Sequence, residues 1–368
     1  MKITTNRQNF VQALSLGSSL SGKSKVLPVL DFTKLSFKNN KCRISSYDGE
    51  IAISTICKCD SDLEDKVFYV EPQILLKSLR SIKEEDVVLD FSEKELVINH
   101  RRGKFNIPLQ DVAEFPTPVF DNDTQKITIS SSILFNWIKE SRTFVSTDSL
   151  RPTLCGFYLY IQDGELGICA TDGFKLYSDN VAYQSDCNMD AIIPEKTANA
   201  LLSMVNGTDE TDILFGENNI VFKNETTSLI CRKITGKFPN FQAVIPNNHT
   251  VSADFRKEDF SDSLNRCLIM ANTTSSSVKM ELKREVCNLI AEDIDFSKKG
   301  EDFFDVSNCE MKEDSFTIGM RGSCVKQCLD SINSEDITIE LTNPRTAIIF
   351  KDKSTPNKVI LMMPLVID

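Results

Sequence analysis

A chain of 368 residues is longer than one ordinary core fills, so two or three domains are expected, and 41% hydrophobic with 26% charged residues are the proportions of a globular protein. No apolar run approaches the eighteen or so residues that span a bilayer, and the opening MKITTNRQNF turns polar too soon for a signal peptide, so a cytoplasmic protein is expected. The net charge of −11, taken alone, argues against nucleic acid, because a binder must neutralise phosphates with Lys and Arg.

The chain opens with an alternating strand, MKITT, and then a helical pattern, NRQNFVQALSL. KCRISSY reads as a strand, and a second helix follows in YVEPQILLKSLRSI. There Leu75, Leu79 and Ile82 form a buried stripe, while Gln73, Lys77 and Arg80 lie on another face. VVLDFS and ELVINH alternate as half-buried antiparallel strands do. Prolines and acids at 115–125, FPTPVFDNDTQ, then break the periodicity. The same grammar returns in KITISSSILFNWIKESRTFV, where Leu134, Ile138 and Val145 are apolar at helical spacing and Lys139 and Arg142 sit three apart. Asp163-Gly164, between FYLYI and ELGICA, is a type I′ hairpin signal. The second helix of this part is IIPEKTANALLSMV, and IPNNHT at 245–250 is a second linker. TVSADFRKEDFSDSLNRCLIMA, IGMRGSCVKQCLDSI and DITIEL complete a third round.

These rounds share one period. Ile3, Ile127 and Val251 are separated by 124 and 124; Val70, Ile193 and Met320 by 123 and 127. Asp48-Gly49 and Asp172-Gly173 are 124 apart, and Glu292-Asp293 takes that place in the third round without the glycine. The expectation is an α+β protein of three tandem copies of a two-helix plus antiparallel-sheet unit, with domains at 1–120, 121–246 and 247–368.

Twelve cysteines are scattered without C-x-x-C spacing, which fits free thiols in a reducing compartment. Cys57 with Cys59, and Cys324 with Cys328, would share a strand face and a helix face as buried packing. Only His100 and His249 are present, so histidine-based metal or triad chemistry has little material, and no metal or cofactor is expected.

Charge is segregated. The helical segments 7–16, 72–83, 132–146, 194–205, 256–270 and 320–332 hold 12 basic and 6 acidic residues, a net +6 that leaves −17 on the rest of the chain. Solvated helix faces carry charge for no special reason. Across three repeats, however, equivalent helices would present one basic surface, which suits phosphates rather than bases.

Residues 151–177 read RPTLCGFYLYIQDGELGICATDGFKLY. Their Arg-x-x-Leu-x-Gly opening, hairpin, and Ala-Thr-Asp-Gly followed by aromatic, basic and Leu resemble the bacterial DNA polymerase III beta subunit, the sliding clamp family. KITGKFPNFQAVIP at 233–246 and LMMPL at 361–365 extend the resemblance along the whole chain. It implies a DNA clamp fold in which two chains close head to tail into a six-domain ring, a homodimeric processivity factor for DNA replication with helices around duplex DNA.

On that reading Arg7, Lys77, Arg80, Lys139, Lys196, Arg266 and Lys326 face DNA by helical position, and Lys23 and Lys25 lie in a loop where the family is commonly basic. Phe105 and Ile107 match the family's first-domain dimer contacts, and Ile269 and Met270 its third-domain ones; ordinary core is the alternative for all four. A cleft for a short peptide from replicative polymerase, clamp loader and repair factors would be lined by Leu154, Thr171, Gly173, Phe174, Lys175 and Leu176. Pro239, Val244 and Ala347 would join it, with Leu361, Met363, Pro364 and Leu365 completing it. Phe174 and Lys175 stand where many members have His and Arg, so the preferred peptide is expected to differ.

Two other functions stay open. A three-repeat interaction scaffold could use the cleft without closing around DNA. A metal-dependent phosphoesterase could use Asp48, Asp172 and Asp293, although Asp-Gly is first a turn signal and no phosphate loop or nucleophile elbow is present.

Overall fold

The computed structural model describes residues 1–22, 27–61, 65–118, 121, 124–185 and 188–366. The first repeat runs β1 (Lys2–Asn6), α1 (Arg7–Gly17), β2 (Thr33–Lys38), β3 (Lys41–Tyr47), β4 (Ile51–Lys58), β5 (Asp60–Ser61), β6 (Lys66–Val70), α2 (Pro72–Ser81), β7 (Asp86–Phe91), β8 (Glu95–His100) and β9 (Gly103–Gln110). The second runs β10 (Gln125–Ser130), α3 (Ser131–Ser141), β11 (Gly156–Gln162), β12 (Glu165–Thr171), β13 (Lys175–Ala182), β14 (Met189–Pro194), α4 (Ala198–Val205), β15 (Glu210–Phe215), β16 (Asn219–Lys223) and β17 (Thr227–Arg232). The third runs β18 (Val251–Arg256), α5 (Lys257–Leu268), β19 (Ser277–Lys283), β20 (Val286–Asp293), β21 (Lys298–Asp305), β22 (Asn308–Met311), β23 (Ser315–Arg321), α6 (Gly322–Asp330), β24 (Asp336–Leu341), β25 (Ile348–Asp352) and β26 (Val359–Met362).

Local chemistry accounts for these elements. Asn6 caps α1 by accepting the Asn9 N–H at 3.1 Å, and Phe10 and Leu14 point inward. Gly17 ends α1 flat against β3, where a Cβ would lie 2.7 Å from the Ile44 carbonyl oxygen. Pro72 opens α2, which buries Leu75, Leu76 and Leu79 and leaves Lys77 and Arg80 exposed. Asp163 and Gly164 both have positive φ, 54° and 82°, as a type I′ turn requires. Two helices are shorter than their apolar periodicity suggests. α3 gives way to a 3₁₀ turn over Arg142–Phe144, and α4 is preceded by one over Glu195–Thr197, so Lys196 stands on a turn rather than on the helix. The eleven described cysteines are free thiols, and burial pushes Cys59 up to about 11.

By contact the chain divides into two compact units, Met1–Asn136 with Lys196–Lys233, and Trp137–Glu195 with Ile234–Asp368. In the first unit one antiparallel sheet runs β10-β15-β16-β17-β4-β3-β2-β6-β9-β8-β7-β1-β5. In the second, nine strands run β14-β11-β12-β13-β26-β25-β24-β18-β22, and four run β21-β20-β19-β23. Two pairings join one repeat to the next. β17 meets β4 from Ile51↔Cys231 to Thr55↔Thr227, with the buried Thr55 and Thr227 hydroxyls 2.9 Å apart. β26 meets β13 from Lys175↔Met362 to Ser178↔Val359.

A buried ionic network fastens α3 to the third repeat inside the second unit. The Lys358 ammonium donates to Glu140 at 2.7 Å and to Asp352 at 3.0 Å, and all three side chains are buried. Tyr177 Oη–H donates to the same Glu140 carboxylate at 2.9 Å, Asn333 Nδ2–H at 2.7 Å, and the Ser331 hydroxyl to the Glu140 carbonyl at 3.0 Å. Burial pushes the Asp352 carboxyl up, but the Asn333 and Ser354 N–H groups and Lys358 outweigh it and hold the group well below the ordinary carboxylate range. Asp352 therefore contributes its stability in full above the unfolded-state value of about 3.9, and loses it as pH falls below that toward the lower folded-state value.

Lys358→Met should cost about 3–5 kcal/mol in urea denaturation, because it strands two buried carboxylates. It should also flatten the loss of stability below about pH 4. A cost under about 1 kcal/mol would show that the network is not what ties α3 down.

Candidate partner cleft and basic helix faces

The connection between β12 and β13 is built by its own aspartate. Asp172 Oδ1 accepts the N–H of Phe174 at 2.8 Å and of Lys175 at 2.9 Å, and Gly173 takes φ +91°. Asp48 makes the same turn, accepting Glu50 N–H at 2.9 Å and Ile51 N–H at 2.7 Å. Asp293 does not. It is the buried last residue of β20 and accepts from Asn272 at 3.3 Å, and the chain continues into a 3₁₀ turn over Ile294–Phe296. The third connection, 294–297, is one residue longer than 48–50 or 172–174, and Ser297 takes the positive φ there, 51°. The three acids thus share neither a common site nor a common local role.

Lys175 is buried, and its ammonium is held by Asp172 at 2.9 Å, by the Thr143 carbonyl and over the Phe144 ring at 5.2 Å. Its alkyl stem packs while its charge is consumed internally. Phe174, the next residue back, points outward and is 59% exposed. The Phe174 carbonyl accepts Met363 N–H at 2.7 Å, and Leu365 N–H donates to the Gly319 carbonyl at 2.9 Å, so the C-terminal segment is pinned beside this turn.

Beneath it Leu154, Leu176, Ala347 and Leu361 meet in one apolar cluster with Tyr160, Cys169, Ile192, Phe238 and Phe241. The Tyr158 and Phe238 rings are stacked at 4.6 Å, and Tyr160 lies 5.7 Å from Phe241. Burial is the main cause that pushes the Tyr158 and Tyr160 hydroxyls up to about 12. These four aromatics are absent from the expected lining. The alternation FYLY and the doublet FPNF carried the signal, because residues two apart on β11 share a face. Thr171 is buried and donates to the Lys175 carbonyl at 2.7 Å. Val244 and Met363 are 53% and 41% exposed, Gly173 and Pro239 are exposed, and Pro364 and Leu365 are half-buried. The second unit therefore brings four of the expected lining residues, Leu154, Leu176, Ala347 and Leu361, into one apolar floor, with Phe174 and Met363 exposed at the adjoining turn and C-terminal segment.

The expected DNA-facing residues divide between the units. In the first, Lys77 and Arg80 are exposed on α2, and Arg80 Nη2–H reaches Ser15 Oγ of α1 at 3.4 Å. Arg7 Nε–H instead donates to the Glu84 carbonyl at 2.8 Å, and Lys196 is held by Glu50 and by Asp48 at 3.9 Å. In the second, Lys139 is exposed on α3, Lys326 on α6 donates to Asn265 of α5 at 3.1 Å, and Arg266 is paired with Asp302. Lys196 and Arg266 thus spend part of their charge on carboxylates. Lys23 and Lys25 lie outside the described residues.

The four expected dimer contacts separate into two kinds. Ile269 is 70% exposed and Met270 37%, and Phe303 on β21 is 66% exposed. Ile107, by contrast, is only 1% exposed and belongs to the first repeat's own core, so its side chain is no surface contact. Its position alternates with exposed Asn106 and Pro108, and β9 offers a neighbour its backbone edge instead. Phe105 is half-buried and stacked on His100 at 4.9 Å.

Comparison with known proteins gives the family and supports the fold. Family models of the DNA polymerase III beta subunit match in succession: its N-terminal domain over residues 1–119, its central domain over 128–240 and its C-terminal domain over 242–366. Curated relatives include beta sliding clamps of Rickettsia felis, 26% identical, and Staphylococcus epidermidis, 23% identical, each alignment covering 99% of both chains. Among solved structures, the DNA polymerase III subunit beta of Pseudomonas aeruginosa superposes with a TM-score of 0.93 at 19% identity, covering 100% of both chains. A structure of that organism's sliding clamp bound to griselimycin does so equally well. The beta subunit of Thermotoga maritima follows with 0.91 at 17%, again over 100% of both chains. With its three domain models matched in order from residue 1 to residue 366, the chain belongs to the DNA polymerase III beta subunit family, that of the beta sliding clamps.

Proposed function

We propose that this chain is a DNA sliding clamp whose domains, 1–120, 121–246 and 247–368, supply half of a ring, two copies closing head to tail around duplex DNA in the cytoplasm. The observation that carries this reading is the repeated joint, in which the last strand of one repeat pairs the third sheet strand of the repeat before it, β17 on β4 and β26 on β13. Applied once more, the rule calls for a partner to β21, an edge strand, and for a partner to β9, which meets β6 only at Tyr69↔Gln110 and Val70↔Leu109. A heterologous contact of this kind either closes or propagates. Exposed Ile269 and Met270, which follow α5 beside Gly300 of β21, favour a covered edge.

The basic helical residues Lys77, Arg80, Lys139 and Lys326 would meet phosphates, giving binding that is independent of sequence and sensitive to salt. Arg7, Lys196 and Arg266 would add less, being committed to neighbours within the chain. The apolar floor beside Phe174 and Met363 would take the anchoring side chains of an extended peptide from a replicative polymerase, clamp loader or repair factor. In this role the chain is an accessory subunit without catalysis of its own. Asp48 and Asp172 are committed to capping their turns, and no cofactor is called for.

Three outcomes test the reading. The protein should run at about twice 41.4 kDa in solution and, once loaded on nicked circular plasmid, should be released when the plasmid is cut at one site. Equal retention on circle and line would mean ordinary electrostatic binding, and a monomer with no retention would favour the scaffold. Lys77→Glu with Arg80→Glu should cut retention roughly tenfold at moderate salt without changing the dimer mass, as the loss of phosphate contacts predicts. Phe174→Glu with Met363→Glu should weaken a clamp-binding peptide by 2 kcal/mol or more, roughly 30-fold, in a calorimetric titration while leaving retention on DNA intact.

A further inference from the structure

The two internal joints agree to the residue. After β17 leaves its pairing with β4, Arg232 donates its N–H to the Glu50 carbonyl at 3.2 Å. After β26 leaves β13, Met363 donates to the Phe174 carbonyl at 2.7 Å. Each joint therefore ends on a backbone bond to the turn that precedes the third strand.

The place of that donor in the first repeat is fixed by its hairpin. Lys233 N–H bonds the Asn218 carbonyl at 2.9 Å around the pair Asn219↔Arg232, and Leu109 N–H bonds the Lys94 carbonyl at 2.9 Å around the pair Glu95↔Pro108. Arg232 thus corresponds to Pro108, which has no N–H to give. Because Leu109 N–H faces β8, the alternate residues Pro108, Asn106 and Lys104 turn their backbone outward to the open edge.

The place of the acceptor strand is fixed by its inner face. Ser46↔Ile53, Ala170↔Tyr177 and Ala291↔Gly300 are the pairs each five residues into the second sheet strand, and each faces its own repeat's helices. A Cβ on Gly300 would lie 2.9 Å from Met270 beside α5, which confirms the side. Gly300 therefore corresponds to Ile53 and Tyr177, whose partners across the internal joints are Leu229 and Ile360.

We infer that β9 of one copy pairs β21 of another in the register Asn106↔Lys299, Phe105↔Gly300 and Lys104↔Glu301, and that Pro108 leaves this closing joint one hydrogen bond short of the two internal ones. The inference rests on the head-to-tail reading above and goes beyond it, assigning a residue that sets how firmly the ring shuts. The register puts a buried-face aromatic over a glycine and sets exposed Lys104 opposite exposed Glu301, opposite charges at a cross-strand site. A proline on the open side of β9 also guards that edge in the free monomer against wrong pairing.

Dilution of the labelled full-length dimer, followed by fluorescence, tests both parts. Pro108→Gln and Pro108→Val each restore an N–H, and both should lower the dimer dissociation constant, by roughly tenfold over the two joints of a ring. An unchanged or raised constant, with the melting temperature preserved, would overturn the role of Pro108. For the register, Lys104→Glu and Glu301→Lys should each weaken the dimer several-fold, and together should restore it to within about twofold. Lys104→Glu combined with Asp305→Lys should not restore it. No recovery in the first pair, or equal recovery in the second, would overturn the register. A parent chain that is monomeric at every concentration would instead remove the head-to-tail reading itself.

Discussion

The backbone pairing of one repeat's last strand with the previous repeat's third strand is the constraint from which the rest follows. An open sheet edge leaves a row of N–H and C=O groups that must find partners. Within each unit one such edge is satisfied by the neighbouring repeat, and the sheet runs on across the boundary. Because the same two strands serve at each joint, the repeats are joined by a fixed operation rather than by flexible linkers. The first repeat's last strand, β9, meets β6 over only two residues, and the third repeat's β21 is an edge strand, so each keeps an open side.

The second joint also shapes the proposed partner cleft. Pairing of β26 with β13 carries Met363 to the Phe174 carbonyl and sets Leu361 beside Leu176, so the C-terminal segment and the β12–β13 turn become one surface. The buried network of Lys358, Glu140 and Asp352 lies in the same unit and holds α3 to the third repeat. A buried ion triad is costly to form and costly to break, which favours one arrangement over near alternatives rather than adding much net stability. The cleft is thus a by-product of how two repeats are fastened. Its floor is apolar because it is the continuation of their shared core.

Electrostatics works by separation. The chain as a whole is acidic, which disfavours unspecific contact with polyanions, while the helical segments carry a positive excess. Sequence-independent attachment to DNA needs only phosphate contacts and a geometry that prevents escape. Individual basic residues can therefore be weak, and the proposed surface tolerates the sharing of Lys196 and Arg266 with carboxylates.

By itself the sequence determined the repeat, its element order and the turn chemistry, since the period of 124 residues, the apolar stripes of Leu75-Leu79-Ile82 and the Asp-Gly turns are local properties of the chain. The resemblance of residues 151–177 also pointed to Leu154 and Leu176, which the fold brings together with Ala347 and Leu361. Three things were decided only by tertiary structure. Ile107 alternates in a strand and is apolar, which fits a contact or a core equally well, and only the packing of β9 over its own repeat sends it inward. Lys196 and Arg266 look free in the sequence because their carboxylate partners lie 146 and 36 residues away. The place of Pro108 at a joint emerges only from the hydrogen bonds of Arg232 and Met363, which show what a residue at that place donates. Pairing between distant strands depends on register, and register belongs to the assembled sheet rather than to any stretch of the chain.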